Sequence, residues 1–262
     1  MEKRTKDGVA YELRGSGKPL VVALHDWMGS RRNWDDAEPY LGSDRRWAFM
    51  DLRGYGGSAD LREGRTFAQA ADDVLAIADA EGAPTVSVVG HSMTGLVVQR
   101  LVLDAPARLD RVVGISPFAA GARMDPATVA FFGQAAGDGE VAAQLFDQVT
   151  GGRLGPGWRE HKVARAAAET DADNLLHYLG QIGAVAGFAE ELAAAAPAVP
   201  LLVLAGSHDL PLFRAAGYAE TLLRWFAHAR LETLPTGHFA MEELPAATAG
   251  QLRAFLEAGA AP

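Results

Sequence analysis

Short runs of β-branched and aliphatic residues alternate along this chain with longer stretches whose apolar positions recur every three or four residues. Leu20-Val21-Val22-Ala23-Leu24 contains no polar residue, the pattern of a strand buried on both faces. Residues 47–50, 85–89, 111–115, 200–205 and 229–234 read the same way. A hairpin is expected ahead of them, with residues 9–13 joined through Gly15-Ser16-Gly17-Lys18 to the first buried run.

The intervening segments carry helical spacing. Thr66 followed by Gln69 fits a capping box, and Phe67, Ala71, Val74 and Ala78 then share one face. Residues 92–103 form a second helix, stopped by Asp104-Ala105-Pro106, and residues 211–226 a third. Strands alternating with helices imply a parallel sheet covered on both sides. Residues 118–197 break this rhythm: they are Ala-rich, interrupted by glycines and without a strand-like run. Asp125-Pro126 is a helix start, a capping residue followed by proline at the first helical position. The expected division is a core of residues 1–117 and 198–262 with an all-helical insertion of residues 118–197.

Composition narrows the function classes. The 262 residues include no cysteine, which removes disulfides, thiolate nucleophiles and thiolate metal sites. With 24 basic against 33 acidic residues, the net charge of -9 argues against nucleic-acid or anionic-membrane partners, which need a concentrated basic face. The charged start, Met1 to Asp7, precedes no apolar segment of signal-peptide type. No apolar stretch approaches the roughly 20 residues of a membrane span. The expectation is a cytoplasmic protein acting on a small molecule. Its oligomeric state is left open, with a homodimer among the options.

The chemistry is expected at Gly90-His91-Ser92-Met93-Thr94-Gly95, which follows one strand and opens a helix. A sharp strand-to-helix turn lifts a serine hydroxyl above the sheet, and small neighbours let the turn close. The amide of Met93 then points, with the helix N-terminus, at the position of a developing oxyanion. A serine needs a base. His238, in Pro235-Thr236-Gly237-His238, follows the last strand, and Asp209 follows the strand before it. Nucleophile Ser92, acid Asp209 and base His238 therefore come in that order at the carboxyl ends of strands, where open α/β sheets collect ligands. His25, His91 and His208 read as loop-holding residues, and His161, His177 and His228 as surface or insertion residues. No histidine pair has metal-ligand spacing, so neither a metal nor a cofactor is expected. Gly54-Tyr55-Gly56-Gly57-Ser58-Ala59 matches a dinucleotide fingerprint but runs into a polar loop instead of a helix.

Four pieces in order carry a resemblance over nearly the whole chain: Leu24-His25-Asp26-Trp27-Met28-Gly29, Asp51-Leu52-Arg53-Gly54-Tyr55-Gly56-Gly57-Ser58, the Ser92 turn, and the pair Asp209 and His238. The sequence resembles the α/β-hydrolase superfamily. That resemblance implies an eight-stranded, mostly parallel sheet with a helical cap after the sixth strand. It also implies a second oxyanion donor at the amide of Trp27. Asp26 stands where the family usually has glycine, beside that donor, and Thr94 replaces a glycine of the elbow. The expected activity is hydrolysis of a small to medium carboxylic ester or lactone through an acyl-enzyme on Ser92. Alternatives on the same scaffold are carbon–carbon hydrolysis of a vinylogous diketone and cofactor-free perhydrolase or dioxygenase chemistry. A ligand receptor derived from a hydrolase is the non-enzymatic alternative.

Overall fold

The computed structural model describes residues 1–184 and 188–257. Eight strands, β1 (Glu2–Arg4), β2 (Ala10–Arg14), β3 (Leu20–Ala23), β4 (Arg46–Met50), β5 (Val86–His91), β6 (Leu109–Ile115), β7 (Leu201–Gly206) and β8 (Ala229–Leu234), form one sheet. Its order is β1-β2-β4-β3-β5-β6-β7-β8. The β1/β2 and β2/β4 pairs are antiparallel and the other pairs are parallel.

Strand alternation divides the core between the two faces. Val22, Val88, Val112 and Val203 look toward α1 (Phe67–Ala80) and α2 (Gly95–Asp104). Val21, Val89, Val113 and Leu202 look toward Trp34, Trp47 and α11 (Pro245–Glu257). Both faces are covered, which is why the central strands carry no polar alternation.

Between β6 and β7 the described residues form α3 (Pro126–Ala135), α4 (Gly139–Val149), α5 (Pro156–Glu169), α6 (Ala172–Ala184) and α7 (Ala189–Ala195). Asp125 caps α3, its carboxylate accepting from the amides of Ala127 and Thr128, both at 3.0 Å. Among the described residues no helix is long and apolar enough to cross a membrane.

Three local expectations are corrected. β2 makes no hairpin with β3; it pairs with β4, Tyr11 opposite Met50 and Arg14 opposite Trp47. The turn signal reports that the chain reverses, whereas pairing is decided by β3, whose two edges are taken by β4 and β5. A Cβ at Gly17 would lie 1.6 Å from the carbonyl oxygen of Asp44, so the loop after β2 is pressed against the entry to β4. The single helix expected over residues 211–226 is a 3-10 turn (Pro211–Phe213), then α8 (Ala215–Tyr218) and α9 (Leu222–Trp225). Arg214 and Thr221 interrupt it with non-helical backbone, and the Arg214 side chain turns back to the carbonyl of Asp209 at 2.5 Å. At the start of α1, Thr66 Oγ1 accepts from the amide of Gln69 at 3.1 Å, but the Gln69 side chain donates to Asp73 instead of closing the box. The remaining helices are α10 (Ala240–Glu243) and α11, which follows it directly.

Candidate active site

Ser92 stands between β5 and α2 with φ of +56°, a left-handed backbone that costs a non-glycine residue about 1–3 kcal/mol. Its surroundings hold it there. A Cβ at Gly90 would lie 2.6 Å from the carbonyl oxygen of Thr94, and one at Gly95 would lie 2.5 Å from Pro117 Cβ. Both positions therefore need to be bare for the turn to close. Thr94 closes it: its hydroxyl accepts from the amide of His91 at 2.8 Å and donates to the carbonyl of His91 at 2.9 Å. The carbonyl of Ser92 accepts from the amide of Phe118 at 2.8 Å, tying the elbow to the segment after β6.

The loops after β7 and β8 touch. A Cβ at Gly206 would lie 2.1 Å from the carbonyl oxygen of Gly237, and His208 N donates to Thr236 O at 2.9 Å. That contact brings Asp209 and His238 together, Nδ1 of His238 lying 2.7 Å from Oδ2 of Asp209. Asp209 Oδ1 accepts from the amide of Leu210 at 2.7 Å. With Nδ1–H donating to a carboxylate, Nε2 of a neutral His238 carries the lone pair. Burial would lower the pKa of His238, but the charge of Asp209 and its hydrogen bond outweigh burial and raise it.

The main chain of His238 is fixed on every side. Its amide donates to Val149 O at 2.9 Å, at the end of α4, and its carbonyl accepts from His91 Nε2 at 2.8 Å. Glu243 takes the amides on either side, Gly237 at 2.8 Å and Phe239 at 3.2 Å. His91 Nδ1 is buried with no hydrogen-bond partner among the described residues. Burial and the neighbouring His238 push the pKa of His91 down to about 3, so His91 serves as a neutral strut.

The loop after β3 is braced from both sides. Leu52 N donates to His25 Nε2 at 3.1 Å, which leaves the ring proton on Nδ1 to bond the carbonyl of Asp26 at 2.7 Å. Tyr55 donates to Trp27 O at 2.9 Å, and Trp27 Nε1 donates to Leu175 O on α6 at 2.8 Å. Asp26, expected only as a departure from the family pattern, is buried in a polar cluster. Its Oδ1 accepts from Asn33 Nδ2 at 2.5 Å, and Asn33 Oδ1 accepts from Arg165 at 3.1 Å and Lys162 at 3.4 Å. Lys162, on α5 and only 1% exposed, pairs with Glu242 of α10 at 2.5 Å and lies 4.3 Å from the centre of the Phe239 ring. Burial alone would raise the pKa of Asp26. The charge of Lys162, with contributions from His91, His25 and His238, pulls it below its ordinary value.

A cavity opens over these groups, about 500 Å³ when the space continuous with solvent is included, walled by the strand-end loops and by α3, α4 and α6. Ser92 and His238 line it, as do Asp26 and Trp27. Its other walls are apolar, with Phe132 (stacked on Trp27, 5.3 Å between centroids), Leu145, Phe146, Val149, Ile182 and Phe213 among them. Met93, next in the chain after Ser92, is buried. Its amide lies in the first turn after the elbow, where helical amides have no partner within the helix.

Residues 19–245 match the family model for the alpha/beta hydrolase fold. The chain belongs to the α/β-hydrolase fold family. A putative carbamate hydrolase, RutD, of Variovorax paradoxus is 32% identical over 217 residues, 76% of this chain and 77% of that protein. The dihydrolipoyllysine-residue acetyltransferase component of the acetoin cleaving system of Cupriavidus necator is 36% identical over 109 residues. That match spans 42% of this chain and only 29% of the relative. Among solved structures, an N-acyl homoserine lactone degrading enzyme superposes with a TM-score of 0.81 at 25% identity, covering 97% of this chain and all of that one.

Of the residues singled out in this α/β hydrolase from sequence, Ser92, His238 and Trp27 meet at the cavity, with Asp209 bonded to His238 and Met93 buried next to Ser92 in the chain. His25 and His91 hold loops as expected, but His208 does not. Its ring is exposed, and only its backbone amide makes a bond across the loops. His161 and His228 are exposed, and His177 bonds Arg65 O at 2.8 Å. Sequence reasoning passed over Glu243 and Lys162. Glu243, five positions after His238 and one after Glu242, looks like one of a pair of solvated acids. Lys162 lies 80 residues from its partner.

Proposed function

We propose that the chain is a serine hydrolase that cleaves a small to medium carboxylic ester or lactone through an acyl-enzyme on Ser92. The single observation that carries this reading is the strained elbow serine sharing an apolar cavity with a histidine whose Nδ1 is bonded to a buried carboxylate. Ser92 Oγ attacks the carbonyl carbon as its proton passes to His238 Nε2, and Asp209 holds the imidazolium that forms. The amides of Met93 and Trp27 receive the oxyanion. The tetrahedral species collapses, the carbon–oxygen bond to the alcohol breaks, and the Nε2 proton leaves with the alcohol. Water, deprotonated by the same histidine, then attacks the acyl carbon and releases the acid and Ser92.

The substrate class is supported by the cavity, whose apolar walls suit an aliphatic or aryl part. Support also comes from the lactone-degrading structural relative. The test combines labelling and turnover. A fluorophosphonate probe should label the wild-type protein and leave Ser92→Ala unlabelled although folded. Rates on aryl esters of increasing acyl length should exceed those on a vinylogous diketone. Faster cleavage of the diketone would transfer the reading to carbon–carbon hydrolysis, and labelling of Ser92→Ala would place the nucleophile elsewhere.

A further inference from the structure

Apart from Ser92 and His238, every described residue of the cavity wall other than Asp26 is apolar. Asp26 is 4% exposed, so an unanswered oxygen there is costly. One oxygen, Oδ1, is committed to Asn33 at 2.5 Å. Among the described residues Oδ2 takes no hydrogen bond, and Lys162 reaches the cluster through Asn33, its own ion pair going to Glu242. The position is specific as well. Asp26 immediately precedes Trp27, whose amide is assigned to the oxyanion, and its backbone is locked by His25. A group that bonds Asp26 is therefore held next to the reacting carbonyl.

We propose that Asp26 is a specificity-determining residue whose free carboxylate oxygen accepts a hydrogen bond from an N–H or O–H borne close to the scissile carbonyl of the substrate. The inference rests on the acyl-transfer reading of the site and narrows its substrate class. The preferred esters and lactones are α-acylamino or α-hydroxy compounds, and plain alkyl esters are poorer. The charge sign agrees. The Lys162 charge holds the carboxylate below its ordinary range, so it accepts strongly, cannot donate, and repels a substrate carboxylate at the same place. A glycine in this position offers the substrate nothing beyond its backbone.

The test uses a matched pair of aryl esters, an N-acylglycine ester and the 4-oxoalkanoate in which CH₂ replaces the N–H, each rate normalised to its own hydroxide rate. For the wild-type protein kcat/KM should favour the N–H ester by roughly ten- to a hundredfold, with most of the preference in KM because the bond is present before and during reaction. In Asp26→Asn the amide can still serve Asn33 through its oxygen while its NH₂ faces the ligand, so the preference should fall to near one. Calorimetric titration of the corresponding methyl esters into Ser92→Ala should show the same discrimination, and Ser92→Ala/Asp26→Asn should lose it. A normalised wild-type ratio near one overturns the inference whether or not Asp26→Asn folds. So does an equal loss on both esters in Asp26→Asn, the mark of a purely structural carboxylate. Discrimination in binding without turnover of either ester would remove the hydrolase reading and leave the Asp26 assignment standing. Turnover without discrimination would do the reverse.

Discussion

Thr94→Val keeps the shape of the side chain and deletes the hydroxyl that ties both the amide and the carbonyl of His91. His91 and Thr94 are fully buried, so no bulk water replaces the lost partner. An orphaned buried amide costs about 1–3 kcal/mol. The carbonyl, with two lone pairs, loses less, and the expected destabilisation is about 2–3 kcal/mol. The same hydroxyl braces a backbone that holds about 1–3 kcal/mol of strain at Ser92, and releasing it lets the nucleophile drift. A displacement near 1 Å lowers turnover by about 10²-fold. Urea unfolding followed by tryptophan fluorescence should show a lower midpoint at unchanged slope, with kcat falling more than KM rises. Thr94→Ser should recover most of both. The reasoning fails if Thr94→Val unfolds at the wild-type midpoint, or if serine is as damaging as valine, because the hydroxyl would then not be the closing element.

Asp209→Asn should lower kcat by about 10⁴-fold with little loss of fold, since the amide permits the wrong imidazole tautomer. In the wild-type protein kcat/KM should rise with pH through an apparent pKa above the ordinary 6.5 of histidine. In Asp209→Asn, where burial acts without the anion, that pKa should drop; an unmoved pKa would mean that another group supplies the charge. The raised His238 pKa adds stability that is fully present below 6.5 and is lost as pH climbs through the raised value. Unfolding midpoints taken across that window should show this slope for wild type and lose it in Asp209→Asn. Lys162→Met leaves Glu242 buried and should destabilise by about 3 kcal/mol, the low end for a broken buried pair, because Arg165 remains 3.7 Å away. Lys162→Met/Glu242→Leu should recover most of that loss, and a double variant no better than the single one would argue against pairing as the cause.

The sheet centre and the elbow were legible because their causes are local. Val88 and Val89 are apolar since both faces of β5 are covered, and Gly90 answers a steric demand from Thr94 four positions on, although Gly95 makes room for the distant Pro117. Long-range choices left no such mark. Glu2–Arg4 is a strand with no apolar pattern, and it pairs with β2 at the sheet edge. The neighbour of β2 was misread because the turn after it is the same whether the next partner is β3 or β4. The break at Arg214 follows from a bond to the carbonyl of Asp209, which helical spacing alone does not reveal. Around the site, order along the chain pointed to Ser92, Asp209 and His238. The roles of Glu243 and Lys162 depend on which helices meet above the sheet. Asp26 and Thr94 stood out as departures, yet what each touches is visible only in three dimensions.

The amide of His238 donates to Val149 on α4, and Gly237 lies so close to that helix end that a Cβ would sit 2.5 Å from the Thr150 Cα. The roof of the cavity is thus riveted to His238, the base of the proposed mechanism. Lifting it as a rigid flap would drag the His238 imidazole off the Asp209 carboxylate with each opening. Traffic is better served along the opposite rim, where Phe118, Met124 and Ile182 border both the cavity and an outer cleft shared with Arg123 and Leu176. A ligand passing between those three side chains would leave the His238–Asp209 bond undisturbed.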